Sequence, residues 1–386
     1  MPDELAMRKF VAPEFVFGPG ARLLAGRYAR NLGGRRVLVV SDPGVVGAGW
    51  AGQVVESLAA EGLATTLFSK VTPNPRTEEV MAGVAAYREA GCNAIVAVGG
   101  GSPMDCAKGI GIVCSNHRPI LEFEGIDRIG APMPPLICIP TTAGTSADVS
   151  QFAIFTDSQR RVKVAIVSKA VVPDVALIDP QTLPSMGPYL GACTGLDALT
   201  HAIEAHVSSA HSPMTDLHAL EAIRLLVKYL PASLKEPENL DLRGKVMLGS
   251  LQAGLAFSNA ILGAAHAMAH SLGGYLDLPH GECNAILLDE VIAFNYPAAP
   301  ERFDAIARAM GLELPDAPPE ERCSILVEGV RSLKRAVGLT RHLGDLGVTR
   351  KDLPGLSRHA LTDPCMVTNP RFPDQRDIEV LYEKSL

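Results

Sequence analysis

The sequence has little charge and no surplus of basic residues: 20% of its residues are charged, and 35 Lys and Arg stand against 42 Asp and Glu, a formal net charge of −7. The Lys and Arg residues are scattered, so no cationic field is available for a phosphate backbone and nucleic acid is not an expected partner. Long apolar runs are missing too. No stretch approaches the roughly 18 uninterrupted apolar residues of a membrane span, so no membrane partner is expected. The opening MPDELAMRKF carries acids and no apolar core of a secretory signal. Eight cysteines (Cys92, Cys106, Cys114, Cys138, Cys193, Cys283, Cys323 and Cys365) are widely spaced, without a CxxC pair or the density of a disulfide framework. They point to a reducing cytoplasm. Internal repeats and low-complexity tracts are also absent.

What is present is length and apolar content: 386 residues, 47% hydrophobic. Single cores stop growing near about 250 to 300 residues, so two domains are expected. From Arg36 to Pro180, short β-branched runs alternate with helical stretches: VLVVSD (37–42), a helix near 48–62, AIVAVG (94–99), a helix after Ser102, PLICIP (135–140) and VALIDP (175–180). Such alternation predicts a doubly wound, mostly parallel α/β sheet with helices on both faces. Beyond DPQTLPSMGPYLG (179–191) the strand signals fade and Ala- and Leu-rich amphipathic stretches such as LHALEAIRLLVKYL (217–230) take over. The reading is an α/β nucleotide-binding domain over residues 1–187 and an all-helical domain over 188–386.

In AIVAVGGGSPMDCAKGIG (94–111) a buried strand runs into Gly99, Gly100 and Gly101. Ser102 as N-cap, Pro103 at the first helical position and Asp105 at the third then read as a helix start. Glycines ahead of a helix N-terminus let backbone approach a pyrophosphate closely, and the N–H groups and dipole favour its charge. The loop is neither GxGxxG nor a Walker loop, and a plain strand-to-helix turn is its structural alternative. PLICIP ends in Thr141, Thr142, Ala143, Gly144 and Thr145, hydroxyls at the carboxyl end of the sheet, where open α/β sheets bind ligands. They are placed either to bond phosphate and ribose or to cap their own turn. Asp42, after VLVVS, suits ribose hydroxyls and repels a 2′-phosphate, favouring NAD over NADP; Asp-Pro-Gly is also an ordinary turn.

The second half carries a metal-ligand pattern. Asp197 and His201 are four apart, one above the other on a helix face. His266 and His270 repeat that spacing, and His280 follows Pro279 in an expected loop. A single His on an Ala-rich face is more often a core residue than a ligand, but five such groups in two segments favour a site. Three imidazoles and a carboxylate suit Fe(II) or Zn(II), and spacing leaves open which four of the five bind. A divalent cation with one open position polarises a small oxygen-bearing substrate, so the pattern points to an enzyme.

Six segments, GGGSPMDCAK (99–108), PTTAGTSADVS (140–150), GLDALTHAIEAH (195–206), GAAHAMAHSLGG (263–274), HGECNAILL (280–288) and DPCMVTNPR (363–371), carry a resemblance. In that order the chain resembles the iron-containing (group III) alcohol dehydrogenases over nearly its whole length. The resemblance implies iron ligands at Asp197, His201, His266 and His280, with His270 unligated beside the substrate as a proton relay. It implies a dinucleotide cradle from the Gly99–Ser102 loop, Thr141, Thr142, Ser150 and Phe152. Asn74 in PNPR and Lys163, in a run (RRVK, 160–163) otherwise read as a solvated hairpin edge, join that cradle. It further implies the dehydroquinate synthase-like two-domain architecture, a cleft between the domains, a homodimer or larger oligomer, and NAD-linked interconversion of a small alcohol and its aldehyde. The chain departs from the family wording at Ser146, Ala147 and Asp148, and at LLDE (287–290). FVAPEFVFG (10–18) and HGECNAILL are similar to alcohol-dehydrogenase-like regulatory proteins, which makes a sensor with weak turnover the alternative from another class. A glycerol dehydrogenase or dehydroquinate synthase is the alternative among enzymes.

Overall fold

A computed structural model describes residues 7–386; residues 1–6 of the opening segment lie outside that description. By its internal contacts the chain divides into two compact units, Val11–Met186 and Gly187–Leu386, and residues 7–10 group with the second.

The first unit is built on a six-stranded sheet from β1 (Glu14–Phe17), β2 (Arg36–Val40), β3 (Ala64–Phe68), β4 (Ala94–Gly99), β6 (Leu136–Pro140) and β9 (Val175–Ile178), ordered β1-β9-β6-β4-β2-β3 with every pair parallel. A smaller sheet joins β5 (Gly125–Ile126) to the antiparallel hairpin β7 (Phe152–Asp157) and β8 (Val162–Val167). Period-two alternation splits the main strands between two cores. Val37, Val39, Val96 and Val98 pack on one face under α1 (Ala25–Asn31) and α3 (Trp50–Ala60), α2 (Pro43–Gly47) preceding α3. Leu38, Val40, Ile95 and Ala97 pack on the other under α4 (Thr77–Glu89) and α5 (Gly101–Asn116). Both faces are covered, which is why these strands read as continuous apolar runs.

The helix expected near 48–62 is α3, Trp50–Ala60, and a short helix, α2, precedes it, the two parted at Gly49 with φ 86°. Two local expectations are corrected. Strands β1 and β3 were not anticipated: EFVF is only four residues long, and ATTLF carries no clear apolar alternation. The start of α5 lies earlier than read, with Gly100 in extended conformation as N-cap and Ser102, Pro103 and Asp105 already helical. Proline is tolerated there because first-turn N–H groups have no intrahelical acceptor.

The second unit is helical: α6 (Pro188–Val207), α7 (Pro213–Lys235), α8 (Leu240–Ala260), α9 (Ala264–Leu276), α10 (His280–Asn295), α11 (Pro300–Ala309), α12 (Pro319–Ala336), α13 (Leu353–Leu361) and α14 (Gln375–Ser385). Helix α6 is buried from Gly191 to Val207 and packs against α7, α8 and α10. Small residues fit such a position; Asp197, Thr200, His201, Glu204 and His206 do so only with internal partners, since burying an unpaired polar group costs several kcal/mol, about 2 to 7. No single helix among the described residues is long and apolar enough to cross a membrane.

Leu38 is fully buried under α4 and α5. Leu38→Ala is expected to cost about 2 to 5 kcal/mol through lost transfer energy and a residual cavity, read as a lower urea midpoint with an unchanged m-value.

Candidate metal and nucleotide sites

Helix α6 places Asp197 and His201 one turn apart, and α9 brings His266 to them. One ligand atom from each of these three buried residues lies within 4.8 Å of the others. The His201 and His266 rings stack with centroids 4.4 Å apart, and the His266 and His280 centroids are 5.5 Å apart. His280 Nε2 is 3.8 Å from Asp197 Oδ1. His280 is not in a loop, as expected, but is the first residue of α10, with Pro279 as N-cap. The next residue is Gly281, where a Cβ would come within 2.9 Å of the Cys193 carbonyl oxygen and 3.4 Å of Asp197 Cβ. A glycine there lets the end of α10 meet α6 beside Asp197.

Hydrogen bonds fix the direction of each ring. His266 Nδ1 donates to Glu204 Oε2 at 2.6 Å. Glu204 also accepts from the backbone N–H groups of Gly263 (3.1 Å), Ala265 (2.7 Å) and His266 (3.4 Å), closing the N-terminus of α9. A carboxylate in that position accepts from Nδ1–H, so that in the neutral, metal-binding ring Nε2 is the lone-pair nitrogen. That Nε2 is buried without a hydrogen bond, 3.7 Å from Asp197 Oδ1. A buried imidazole nitrogen without a hydrogen bond, facing a carboxylate among other imidazoles, is the donor set of a divalent metal. The residues therefore fit Fe(II) or Zn(II). Asn284 Nδ2 bonds Asp197 Oδ1 at 2.8 Å and lies 3.1 Å from His280 Nε2, tying two of these groups together.

His270 is set apart by its partner. Its Nδ1 lies 2.9 Å from Asp363 Oδ2, and its ring stacks on His280 at 5.0 Å. Asp363 also accepts from the Cys365 N–H at 2.8 Å. Burial pushes the Asp363 pKa up, but His270 and the Cys365 hydrogen bond hold it below the usual carboxylate range.

Sequence reasoning passed over Glu204, Asn284 and Asp363. Glu204 had a signal: it is seven residues from Asp197 and three from His201, on the same helix face. Asn284 repeats the one-turn spacing from His280. Asp363 had none, being 93 residues from its partner.

At the nucleotide end, Gly99 has φ 154°, a region that favours glycine. A Cβ there would sit 2.6 Å from Pro103 Cγ and 3.3 Å from Asp42 Oδ2. Cβ atoms on Gly100 and Gly101 would meet Thr142 Cγ2 at 3.1 Å and Thr145 Cγ2 at 2.9 Å. The glycine loop and the threonine loop thus lie against each other, tied by Thr141 N–H to the Gly99 oxygen at 2.9 Å. Gly100 supplies no side-chain cap, so the start of α5 offers N–H groups and a positive dipole end to an anion. Asp42 caps α2 through Val45 N–H at 3.0 Å, and Asp105 lies beyond the first turn of α5. Lys163 Nζ bonds Asn74 Oδ1 at 2.7 Å, joining the hairpin to PNPR. Ser150 and Phe152 are buried, and both are held by Lys108, a fully buried cation that sequence reasoning passed over. Its Nζ donates to the Ser150 oxygen (3.1 Å), Ser150 Oγ (3.3 Å) and the Phe152 oxygen (2.6 Å).

Comparisons with known proteins meet this geometry. The family described as iron-containing alcohol dehydrogenase matches residues 12–180, and the C-terminal part of the Fe-containing alcohol dehydrogenase family matches residues 191–386. The chain is 38% identical to a 1,3-propanediol dehydrogenase of Klebsiella pneumoniae over 371 residues, 96% of each chain. The chain belongs to the iron-containing alcohol dehydrogenase family. It is 33% identical to an NAD-dependent methanol dehydrogenase of Bacillus methanolicus, covering 98% of this chain and 99% of that one. A solved 1,3-propanediol oxidoreductase superposes with a TM-score of 0.96 at 37% identity, over 98% of this chain and 100% of that one. This alcohol dehydrogenase family member is an oxidoreductase, and its α/β and helical halves are those of the family.

Two outcomes test the metal end. Glu204→Gln keeps an acceptor for the backbone but removes the charge behind His266, and is expected to weaken metal affinity about 10- to 100-fold in chelator competition. In metal-free protein, burial lowers the His266 pKa, but Asp197 and Glu204 outweigh it and raise it from 6.5 to about 9. Burial raises Asp197, but His201, His280 and His266 hold it far below its usual 3.8. A raised histidine pKa contributes stability that is complete below pH 6.5 and lost as pH rises through 9; a depressed carboxylate contributes stability present above 3.8 and lost on acidification. Metal-free protein is thus expected to lose stability from pH 6.5 to 9 in denaturant titrations, and metal-loaded protein, whose His266 holds no proton at Nε2, to lose less.

Proposed function

We propose that this chain interconverts a small primary alcohol and its aldehyde with NAD, using iron held by Asp197, His201, His266 and His280. The observation that carries the reading is the buried His266 Nε2, without a hydrogen bond and turned toward Asp197, with Glu204 bonded to Nδ1 of the same ring. When bound, Fe(II) supplies Lewis-acid polarisation of the alcohol oxygen, and NAD supplies the hydride acceptor. The protein's own groups do the rest. Glu204 and Asn284 hold the donors in place before metal arrives, which limits the reorganisation that binding costs. His270, with its Nδ1–H directed at ionised Asp363, keeps Nε2 as the base that takes the alcohol proton and passes it outward. The glycine loop and the start of α5 receive the diphosphate, with Thr141, Thr142, Thr145, Ser150 and Phe152 alongside. Asp42 accepts from ribose hydroxyls and disfavours a 2′-phosphate, supporting NAD over NADP. The paired Asn74 and Lys163 complete the cradle. The reading includes a homodimer or larger assembly in a reducing cytoplasm, in keeping with eight free cysteines.

Protein reconstituted anaerobically with Fe(II) is expected to reduce NAD with small primary alcohols or diols. His266→Ala should lose the metal together with turnover; His270→Ala should keep the metal and lose rate, with alkaline pH restoring part of it. Absence of NAD reduction across that alcohol series in metal-replete protein contradicts the enzymatic reading, and tight NAD binding with negligible turnover favours the regulatory alternative.

A further inference from the structure

Beyond the iron ligands, α9 and the turn Pro364–Thr368 assemble a second donor set. One ligand atom each from His270, Asp363 and Cys365 lies within 4.8 Å of the other two, and the set differs in kind from the first because it contains sulfur. His270 and Cys365 are buried and Asp363 is half-buried. His270 Nδ1 and the Cys365 N–H both point at the Asp363 carboxylate, which fixes its two oxygens between the ring and the cysteine. Metal–donor distances near 2.0 to 2.3 Å put tetrahedral donors about 3.3 to 3.6 Å apart. The His270–Asp363 pair, at 2.9 Å, has to open by about half an ångström, and the thiol has to close in.

We propose that His270 Nδ1, the Asp363 carboxylate and Cys365 Sγ form a separate inhibitory site for a thiophilic divalent cation of the Zn(II) class. The proton balance is simple. Cys365 gives its S–H proton to solvent, and the His270 Nδ1 proton passes to Nε2, so one proton is released per cation. Two negative charges, carboxylate and thiolate, then neutralise the cation, which suits a buried position. Burial, seconded by Asp363, keeps the free thiol protonated well above the ordinary range. Hard cations such as Mg(II) do not displace that proton, whereas cations with strong sulfur affinity do. Inhibition follows from the tautomer: once Nδ1 is ligated, Nε2 carries the proton and His270 no longer accepts one from the alcohol.

Co(II) is the probe that separates the two sites. The first equivalent added to metal-free protein should give ligand-field bands without a sulfur-to-cobalt charge-transfer band, since Asp197 and the imidazoles contain no sulfur. The second should bring that band, and Cys365→Ser should abolish it while keeping the first-equivalent spectrum. On Fe(II)-loaded enzyme, Zn(II) should inhibit at a concentration at least tenfold higher in Cys365→Ser than in the parent, with Cys365→Ala as the second variant. A second equivalent without a sulfur band, a sulfur band that survives in both variants, or unchanged Zn(II) inhibition in both overturns the site. Failure of the first-equivalent spectrum instead counts against the iron ligands of the proposed function, so the two failures are distinguishable.

Discussion

Helix α6 is surrounded by protein along nearly its whole length and yet carries Asp197, His201, Glu204 and His206. A helix enclosed on all sides ordinarily carries apolar residues throughout. Each of these side chains must therefore be satisfied from a neighbouring element, and the arrangement of α9 and α10 follows. Glu204 reaches the first N–H groups of α9, Asn284 on α10 reaches Asp197, and Arg302 at the start of α11 donates to His206 Nδ1 at 3.3 Å. The polar groups on α6 thus act as fixed points to which three later helices are registered. An uncompensated buried carboxylate would oppose folding by several kcal/mol, so positioning of the donors and stability of the helical unit are one constraint.

Carboxylates standing behind imidazoles are the common device of the site. Glu204 holds His266 and Asp363 holds His270, and in each case the bond is to Nδ1, with Nε2 on the far side of the ring. Their surroundings then separate the roles. His266 is enclosed among Asp197 and His201, whereas His270 bonds Asp363 and stacks on His280. The same residue type four positions away on one helix thus sits in two different surroundings.

The fold class and the clustering of Asp197, His201 and His266 were legible because both rest on short-range periodicity. Buried strands gave β-branched runs, and side chains one helical turn apart gave the i, i+4 pairs Asp197/His201 and His266/His270. What escaped depended on long-range closure. A glutamate in a helix reads as part of a solvated face until α9 is known to end on it, and Lys108 reads as one more surface lysine until residues 150–152 are seen wrapped around its Nζ. His280 was misplaced into a loop because Pro279 suggested one, when the proline serves as the N-cap of α10. Of the β7–β8 hairpin only RRVK was read as a hairpin edge, because its strands lie outside the main parallel alternation; its turn is closed by Asp157 accepting from Gln159 N–H and Arg160 N–H.

The departure from family wording at Ser146–Asp148 is best understood from burial. Ser146 has φ 50° and is buried, and Asp148 is enclosed where desolvation lifts its pKa to about 6 despite the pull of Lys108. The same enclosure lowers the pKa of Lys108, with Asp105 and Asp148 opposing that shift. An acid and an amine in one dry volume lessen each other's desolvation, so an aspartate at 148 is tolerated here because Lys108 is close enough to be felt. Lys108 in turn fixes the backbone oxygens of Ser150 and Phe152. Asp148 in the altered segment thus shares a buried charge balance with Lys108, the side chain that fixes the backbone oxygens of residues 150 and 152.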